Sequence, residues 1–266
     1  MRIVNRTYIV DNNLNKKIVL LSDIHYFNRK DIINLNKVLD KVKLLNPDYI
    51  CIAGDTMDRY EVESFELLLE WLTKLANISK VIMVLGNHEF YLDRKNDKYK
   101  LNNSYIKQIK KINNLYFLDN ENKVIDNINF IGLTLPIDYY MVYSEDENMF
   151  KKHIKNIKVE KGLYNILLCH SPINIVKKEI LKDIDVDLIL CGHMHGGLTP
   201  NILKPFMNRR GLISPKRDLF PKDAYGHIKR CNKDIIISSG IKVMSQSHLK
   251  FIKNCFASEI VEIIIE

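Results

Sequence analysis

The sequence predicts an α/β protein whose first half is a parallel sheet with crossover helices. Short apolar runs recur along the chain, at residues 18–21, 49–53, 81–85, 166–169 and 188–191, and each has the length and apolar continuity of a buried strand. The stretches between the first three carry apolar residues at helical spacing. Each run also ends in Asp, His or Asn, so the five strands are expected to set these side chains along one edge of one sheet, where open α/β folds keep their sites.

Residues 2–10 alternate loosely and read as an opening strand, followed by the strand at 18–21 that delivers Asp23 and His25. Residues 31–45 place Ile32, Leu35, Val38, Leu39 and Val42 on one helical face, and Asn46-Pro47 stops that helix. After the strand at 49–53, a second helix over 62–76 carries Phe65, Leu68, Leu69 and Leu72; a strand at 81–85 and a weaker helix over 101–112 complete a βαβαβα pattern. Val124-Ile125 and Ile128-Asn129-Phe130-Ile131 flank Asp126-Asn127, a hairpin signature. A helix near 145–154, the strand at 166–169, a helix after Pro172, the strand at 188–191 and strands at 235–238 and 260–265 finish the chain. No repeat or linker divides it, so residues 1–266 read as one domain.

Residues 198–233 are the exception. Pro200, Pro205, Pro215 and Pro221 break any long helix, and Lys204, Arg209, Arg210, Lys216, Arg217, Lys222, Lys229 and Arg230 make the segment basic. Loops this long in a compact domain are usually lids or binding loops, so the segment is expected to contact substrate. Its Leu203, Phe206, Met207, Leu212, Ile213, Leu219 and Phe220 are expected to pin it to the body.

The net charge of +8 admits a phosphorylated substrate, nucleic acid or an anionic membrane surface. Nucleic acid is the less favoured partner, because the basic segment interleaves few aromatic residues for base stacking. Apolar runs are only strand-sized and the first residues lack the apolar core of a secretion signal, so a cytoplasmic setting without a membrane span is expected. Five cysteines, an odd number with no Cys-x-x-Cys pair, do not make a disulfide framework, and reduced thiols are the simpler account; Cys51, Cys169 and Cys191 read as small buried hydrophobes. Nothing in the sequence specifies an oligomeric state.

The polar clusters share one chemistry. They are Asp23-Ile24-His25, Gly54-Asp55-Thr56-Met57-Asp58-Arg59, Gly86-Asn87-His88-Glu89, His170, and Gly192-His193-Met194-His195-Gly196-Gly197. Imidazole nitrogen with carboxylate or amide oxygen suits first-row divalent metals, which points to a metal-assisted hydrolase. His153, in a Lys-rich helix, and His248, in a polar stretch, read as ordinary residues, and His227 is left with the basic segment.

In this order, Asp-x-His, Gly-Asp-x-x-Asp, Gly-Asn-His-Glu, a lone His and Gly-His-x-His resemble the calcineurin-like metallophosphoesterase superfamily. The double glycine after His195, with Tyr225-Gly226, Ser239-Gly240 and Ser258-Glu259-Ile260, is similar to a bacterial membrane-associated phosphodiesterase branch, without its N-terminal anchor. The resemblance implies a four-layer αββα sandwich of two mixed β-sheets flanked by helices. It implies two divalent metal ions, Mn, Fe or Zn, with Mn favoured for activity in vitro. Asp23, His25 and His195 would hold one ion, Asn87, His170 and His193 the other, and Asp55 would bridge them. A metal-bridging hydroxide would then attack a phosphate ester, with a phosphodiester of a small molecule or lipid headgroup as the expected substrate. His88, oriented by Asp58, would act as proton donor or phosphate ligand, and Arg59 would bind phosphate. Glycines 54, 86 and 192 are expected to let the backbone turn sharply at strand ends. A nuclease is the alternative reading, and a metal-free scaffold a weaker one.

Overall fold

The computed structural model describes residues 2–58, 64–93, 98–141, 146–241 and 256–266. In chain order the strands are β1 (Ile3–Val10), β2 (Lys16–Leu21), β3 (Tyr49–Ala53), β4 (Lys80–Val84), β5 (Phe90–Asp93), β6 (Lys98–Leu101) and β7 (Leu115–Phe117). They continue with β8 (Asn122–Ile125), β9 (Ile128–Leu133), β10 (Tyr164–Cys169), β11 (Leu188–Cys191), β12 (Gly226–Arg230), β13 (Lys233–Ile237) and β14 (Ser258–Ile265). The helices are α1 (Asp31–Leu45), α2 (Glu66–Ala76), α3 (Asn103–Ile109), α4 (Ile137–Met141), α5 (Glu147–Ile154) and α6 (Lys178–Leu181).

Two six-stranded mixed sheets result, one in the order β1-β14-β2-β3-β4-β7 and the other β12-β13-β11-β10-β9-β8. Their stacking follows from strands that are apolar on both faces. Along β2, Ile18 and Leu20 join the layer between the sheets, while Val19 and Leu21 face helices. The inter-sheet layer is completed by Tyr49, Cys51, Ile82 and Val84 from one sheet and Phe130, Ile166, Leu168 and Leu190 from the other. Leu35, Val38 and Leu39 of α1 and Leu68, Trp71 and Leu72 of α2 cover the first sheet, whereas Tyr139 of α4, Phe150 of α5 and Ile180 of α6 cover the second. This is the four-layer αββα sandwich expected above.

Several expectations change. The five strands that end in polar clusters do not share one sheet: β2, β3 and β4 lie in the first, β10 and β11 in the second. A buried apolar run carries no signal of which neighbour it will pair with, so sequence could not separate them. Helix α2 begins only at Glu66, α3 is shorter than its apolar pattern, and α6 is a single turn. The β5–β6 hairpin was not anticipated. Asp126 and Asn127 do form the β8–β9 turn, both with positive φ (47° and 64°), as a two-residue hairpin loop of this type requires.

The segment 198–233 is not a loop throughout. Residues 226–230 are β12, an edge strand antiparallel to β13, and residues 211–221 form a small hairpin in which Ile213 bridges Leu219. His227 therefore belongs to a sheet edge, where its Nε2 meets Asp234 Oδ1 at 2.5 Å. Lys204 is buried, with Nζ donating to Ser239 Oγ (2.6 Å) and 3.6 Å from Glu259 Oε2. By contrast Phe206, Leu219 and Phe220, expected as anchors, are exposed. A side chain's polarity gives its average preference for the interior, and here a buried ion pair anchors the segment instead.

Candidate metal centre

The carboxyl ends of both sheets converge on the polar clusters, and backbone hydrogen bonds beyond the strands hold them together. Asp23 N donates to Gly54 O (3.1 Å), His25 N to Asp55 O (3.0 Å) and Tyr26 N to Thr56 O (2.9 Å), so the loops after β2 and β3 run side by side. Across the sheets, His193 N reaches both Asp23 carboxylate oxygens at 3.1 Å. Asp23, His25, Asp55, His193 and His195 all have positive φ, between 47° and 68°. Such backbone is unfavourable for side-chain-bearing residues and clusters at functional sites.

The glycines act differently from one another. Gly54 has φ +80°, a true left-handed position. Gly86 and Gly192 have no such φ; what they supply is space, since a Cβ at Gly86 would lie 2.2 Å from Asp55 Oδ1 and one at Gly192 2.7 Å from Asp23 Oδ2.

Two donor sets stand next to each other. Asp23, His25 and His195 form one, with His195 Nε2 at 3.6 Å and His25 Nε2 at 4.0 Å from Asp23 Oδ1. Asp55, His170 and His193 form the second, with His170 Nε2 at 3.1 Å from Asp55 Oδ2 and 3.2 Å from His193 Nδ1. Asp55 Oδ2 also lies 3.7 Å from His25 Nε2, so one carboxylate oxygen faces both sets. His170 Nδ1 sits 2.6 Å from the Ala53 carbonyl, which keeps a proton on Nδ1 and aims Nε2 at Asp55.

His88 lies at the side of this array. Its Nε2 is 4.0 Å from Asp55 Oδ2 and its Nδ1 3.7 Å from Asp58 Oδ1, and its ring meets that of His25 edge-on at 4.4 Å. Together with His25 and Asp55 it makes a third group of potential ligand atoms. Arg59 and His248 lie outside the described residues. His153 caps nothing in the site; its Nδ1 is paired with Met149 O within α5.

The electrostatics favour cations. Burial, then His88, pushes the His25 pKa well below its usual value, and burial lowers that of His195, so both imidazoles are neutral donors. Burial alone would raise Asp55, but His170, His88 and His25 outweigh it and hold its carboxyl well below the usual range. Burial would lower His170, yet Asp55 outweighs it and raises the imidazole to about 10. One buried oxygen at the site, Asn87 Oδ1, has no hydrogen-bond partner in the described structure. A carboxamide oxygen held this way fits a divalent-metal ligand, whereas as a purely structural group it would be costly.

One residue without an assigned role in the sequence organises the rest. The fully buried Glu89 accepts from Thr56 N (2.6 Å), Thr56 Oγ1 (2.6 Å), Gly86 N (2.7 Å) and Asp55 N (3.2 Å). It ties the β3 loop to the β4 loop on which Asn87 and His88 stand. Its place in Gly86-Asn87-His88-Glu89 was the available signal, because a carboxylate in a tight polar loop has loop amides to satisfy.

A two-sheet αββα framework with adjoining His/Asp sets at its strand ends defines a protein built for divalent metals. The chain belongs to the calcineurin-like phosphoesterase family, a profile of which matches residues 16–197. It is 31% identical over 193 residues to an uncharacterized metallophosphoesterase of Campylobacter jejuni, covering 70% of this chain and 46% of that one. It is 28% identical over 225 residues to the phosphodiesterase YaeI of Escherichia coli, covering 82% and 74%. The chain spans about half the length of the first curated relatives it matches. Among solved structures, a dimetal phosphatase from Danio rerio is similar with a TM-score of 0.48 and 12% identity over 88% of this chain and 89% of that one.

Proposed function

We propose that this chain hydrolyses a phosphate ester, foremost a phosphodiester of a small molecule or lipid headgroup, with two divalent ions. The observation that carries this is Asp55 Oδ2, 3.1 Å from His170 and 3.7 Å from His25, which puts one carboxylate between two donor sets. Asp23, His25 and His195 would hold one ion, Asn87, His170 and His193 the second, and Asp55 both. The ions, manganese foremost, would supply Lewis acidity and lower the pKa of water from about 15.7 to about 7.

The chain's own groups would do the rest. Neutral His and Asn complete the ligand sets without cancelling the charge that attracts a phosphate. His88 would present Nε2 to the leaving oxygen and pass it a proton, while Asp58, 3.7 Å from Nδ1, orients the ring. Arg59 would offer a bidentate grip on phosphate. Similarity to YaeI supports a diester over a monoester, and the buried thiols of Cys51, Cys169 and Cys191 support a reducing, cytoplasmic setting.

The test is metal analysis with turnover of bis- and mono-p-nitrophenyl phosphate under Mn²⁺, then of natural diesters. Asp55→Asn is expected to lose both ions and activity. His88→Ala is expected to keep the ions and lose about 10²- to 10⁴-fold in turnover, with a smaller loss where the leaving group is p-nitrophenolate. Full occupancy and turnover in Asp55→Asn would sink the assignment.

A further inference from the structure

We propose that residues 202–220 are a docking surface for an anionic lipid bilayer, set beside the candidate metal centre. Burial here is inverted. Lys204 is only 6% exposed and tied to Ser239 and Glu259, while its neighbours Ile202 and Phe206 are 78% and 84% exposed. Leu203, Ile213, Leu219 and Phe220 are exposed as well, so six of the eleven large exposed hydrophobics of the described residues fall in this one segment. Scattered exposed leucines need no explanation, but a concentration of this kind marks an interaction site.

The hairpin within the segment is built for two-sided exposure. Ile213 and Leu219 are cross-strand partners, and Phe220 N donates to Leu212 O on the adjoining pair. Both of its faces therefore carry apolar side chains, which a hairpin packed by one face against a core does not need. It is also firmly held. Gly197 O accepts from Leu212 N (2.7 Å) and Ile213 N (3.0 Å), Gly211 N donates to Pro221 O (2.9 Å), and Ser214 N donates to Asp218 O (2.9 Å). Apolar side chains on an ordered scaffold lose little conformational freedom on docking.

Charge selects the partner. Residues 202–222 contain six Lys or Arg and one acid, Asp218. Arg210, Arg217 and Lys222 are exposed among the apolar side chains. Large apolar residues rimmed by cations match the boundary between acyl chains and anionic headgroups. A second copy of the chain would set this basic surface against another of net charge +8, and a nucleic acid would leave Ile202 and Leu219 without a stacking partner. Position links the surface to the centre: its base hangs on Gly197, two residues past His195, and Lys216 Nζ at its tip donates to Tyr140 O. The Tyr140 ring lies 5.5 Å from that of His193. Docking would thus bring the centre to the membrane surface, and, resting on the function proposed above, would select phosphoesters carried by lipids.

The experiment is co-sedimentation of the whole chain with phosphatidylcholine vesicles, with and without about one-quarter phosphatidylglycerol. The wild-type chain is expected to partition onto the anionic vesicles and only weakly onto neutral ones. Phe206→Ser, Leu219→Ser and Phe220→Ser together should lower partition at least about tenfold, with the unfolding midpoint and circular dichroism unchanged because these side chains are exposed. Arg210→Gln with Arg217→Gln should lower it and blunt its salt dependence. The proposal is overturned if anionic vesicles are not bound, or if binding ignores the apolar substitutions. It is equally overturned if light scattering finds a dimer that the triple variant disperses and that stays off vesicles. Partition requires no turnover, so an inactive chain that docks and an active chain that does not are separate results.

Discussion

Left-handed backbone at Asp23, His25, Asp55, His193 and His195 costs an L-residue roughly 1–2 kcal/mol at each position, so the fold around them must impose it. At Asp55 the buried Glu89 takes part in that imposition. Its carboxylate receives the amides of Asp55, Thr56 and Gly86, and burial followed by the Asp55 charge raises its pKa while the Thr56 and Gly86 bonds oppose the rise. Glu89→Gln keeps the shape but turns an NH₂ toward donors. The expected loss is about 1–3 kcal/mol of stability per buried donor left unmatched, with weaker metal uptake at both donor sets. Thermal unfolding and metal titration check it; a variant with wild-type stability and uptake would leave Glu89 a bystander.

At the scale of elements, the strands were readable and their partners were not. β14 is the last strand in the chain yet lies between β1 and β2, pairing parallel with one and antiparallel with the other. Its period of two separates its faces: Ile263 is fully buried between the sheets, and Ile264 is partly exposed on the other side. Ile263→Ala should cost about 2–5 kcal/mol, and Ile264→Ala well under half of the Ile263 loss. Denaturant unfolding of the pair decides it, and equal losses would contradict the sheet stacking. The same element supplies Glu259 to Arg6 Nε at 2.6 Å and to Lys204, which is how a terminal strand comes to anchor the segment beyond His195.

For the whole molecule, candidate ligands drawn from both sheets would make metal binding a tie between them. At a hundredfold excess over its dissociation constant a bound ion adds about 2.7 kcal/mol, and the gain should appear in one cooperative transition. Its pH dependence has a definite sign. Because the folded pKa of His170 is raised to about 10, its ion pair with Asp55 contributes fully below the ordinary value of 6.5 and fades as pH rises toward 10. An ion that replaces that proton binds better as pH rises. The metal-induced thermal shift should therefore be larger at about pH 8 than at about pH 6, with proton release in calorimetry. A shift independent of pH would show that His170 is not a ligand.

The sequence by itself determined the polar clusters, the apolar runs that carry them and the early βαβαβα order, because period and residue type are local properties of the chain. It did not determine that β10 and β11 belong to a second sheet, that Gly86 and Gly192 clear space for Asp55 and Asp23, or that Glu89 joins two loops. Nor did it separate the buried Lys204 from the exposed Phe206. Those facts depend on which residues, distant in sequence, become neighbours, and only the packed tertiary structure sets that.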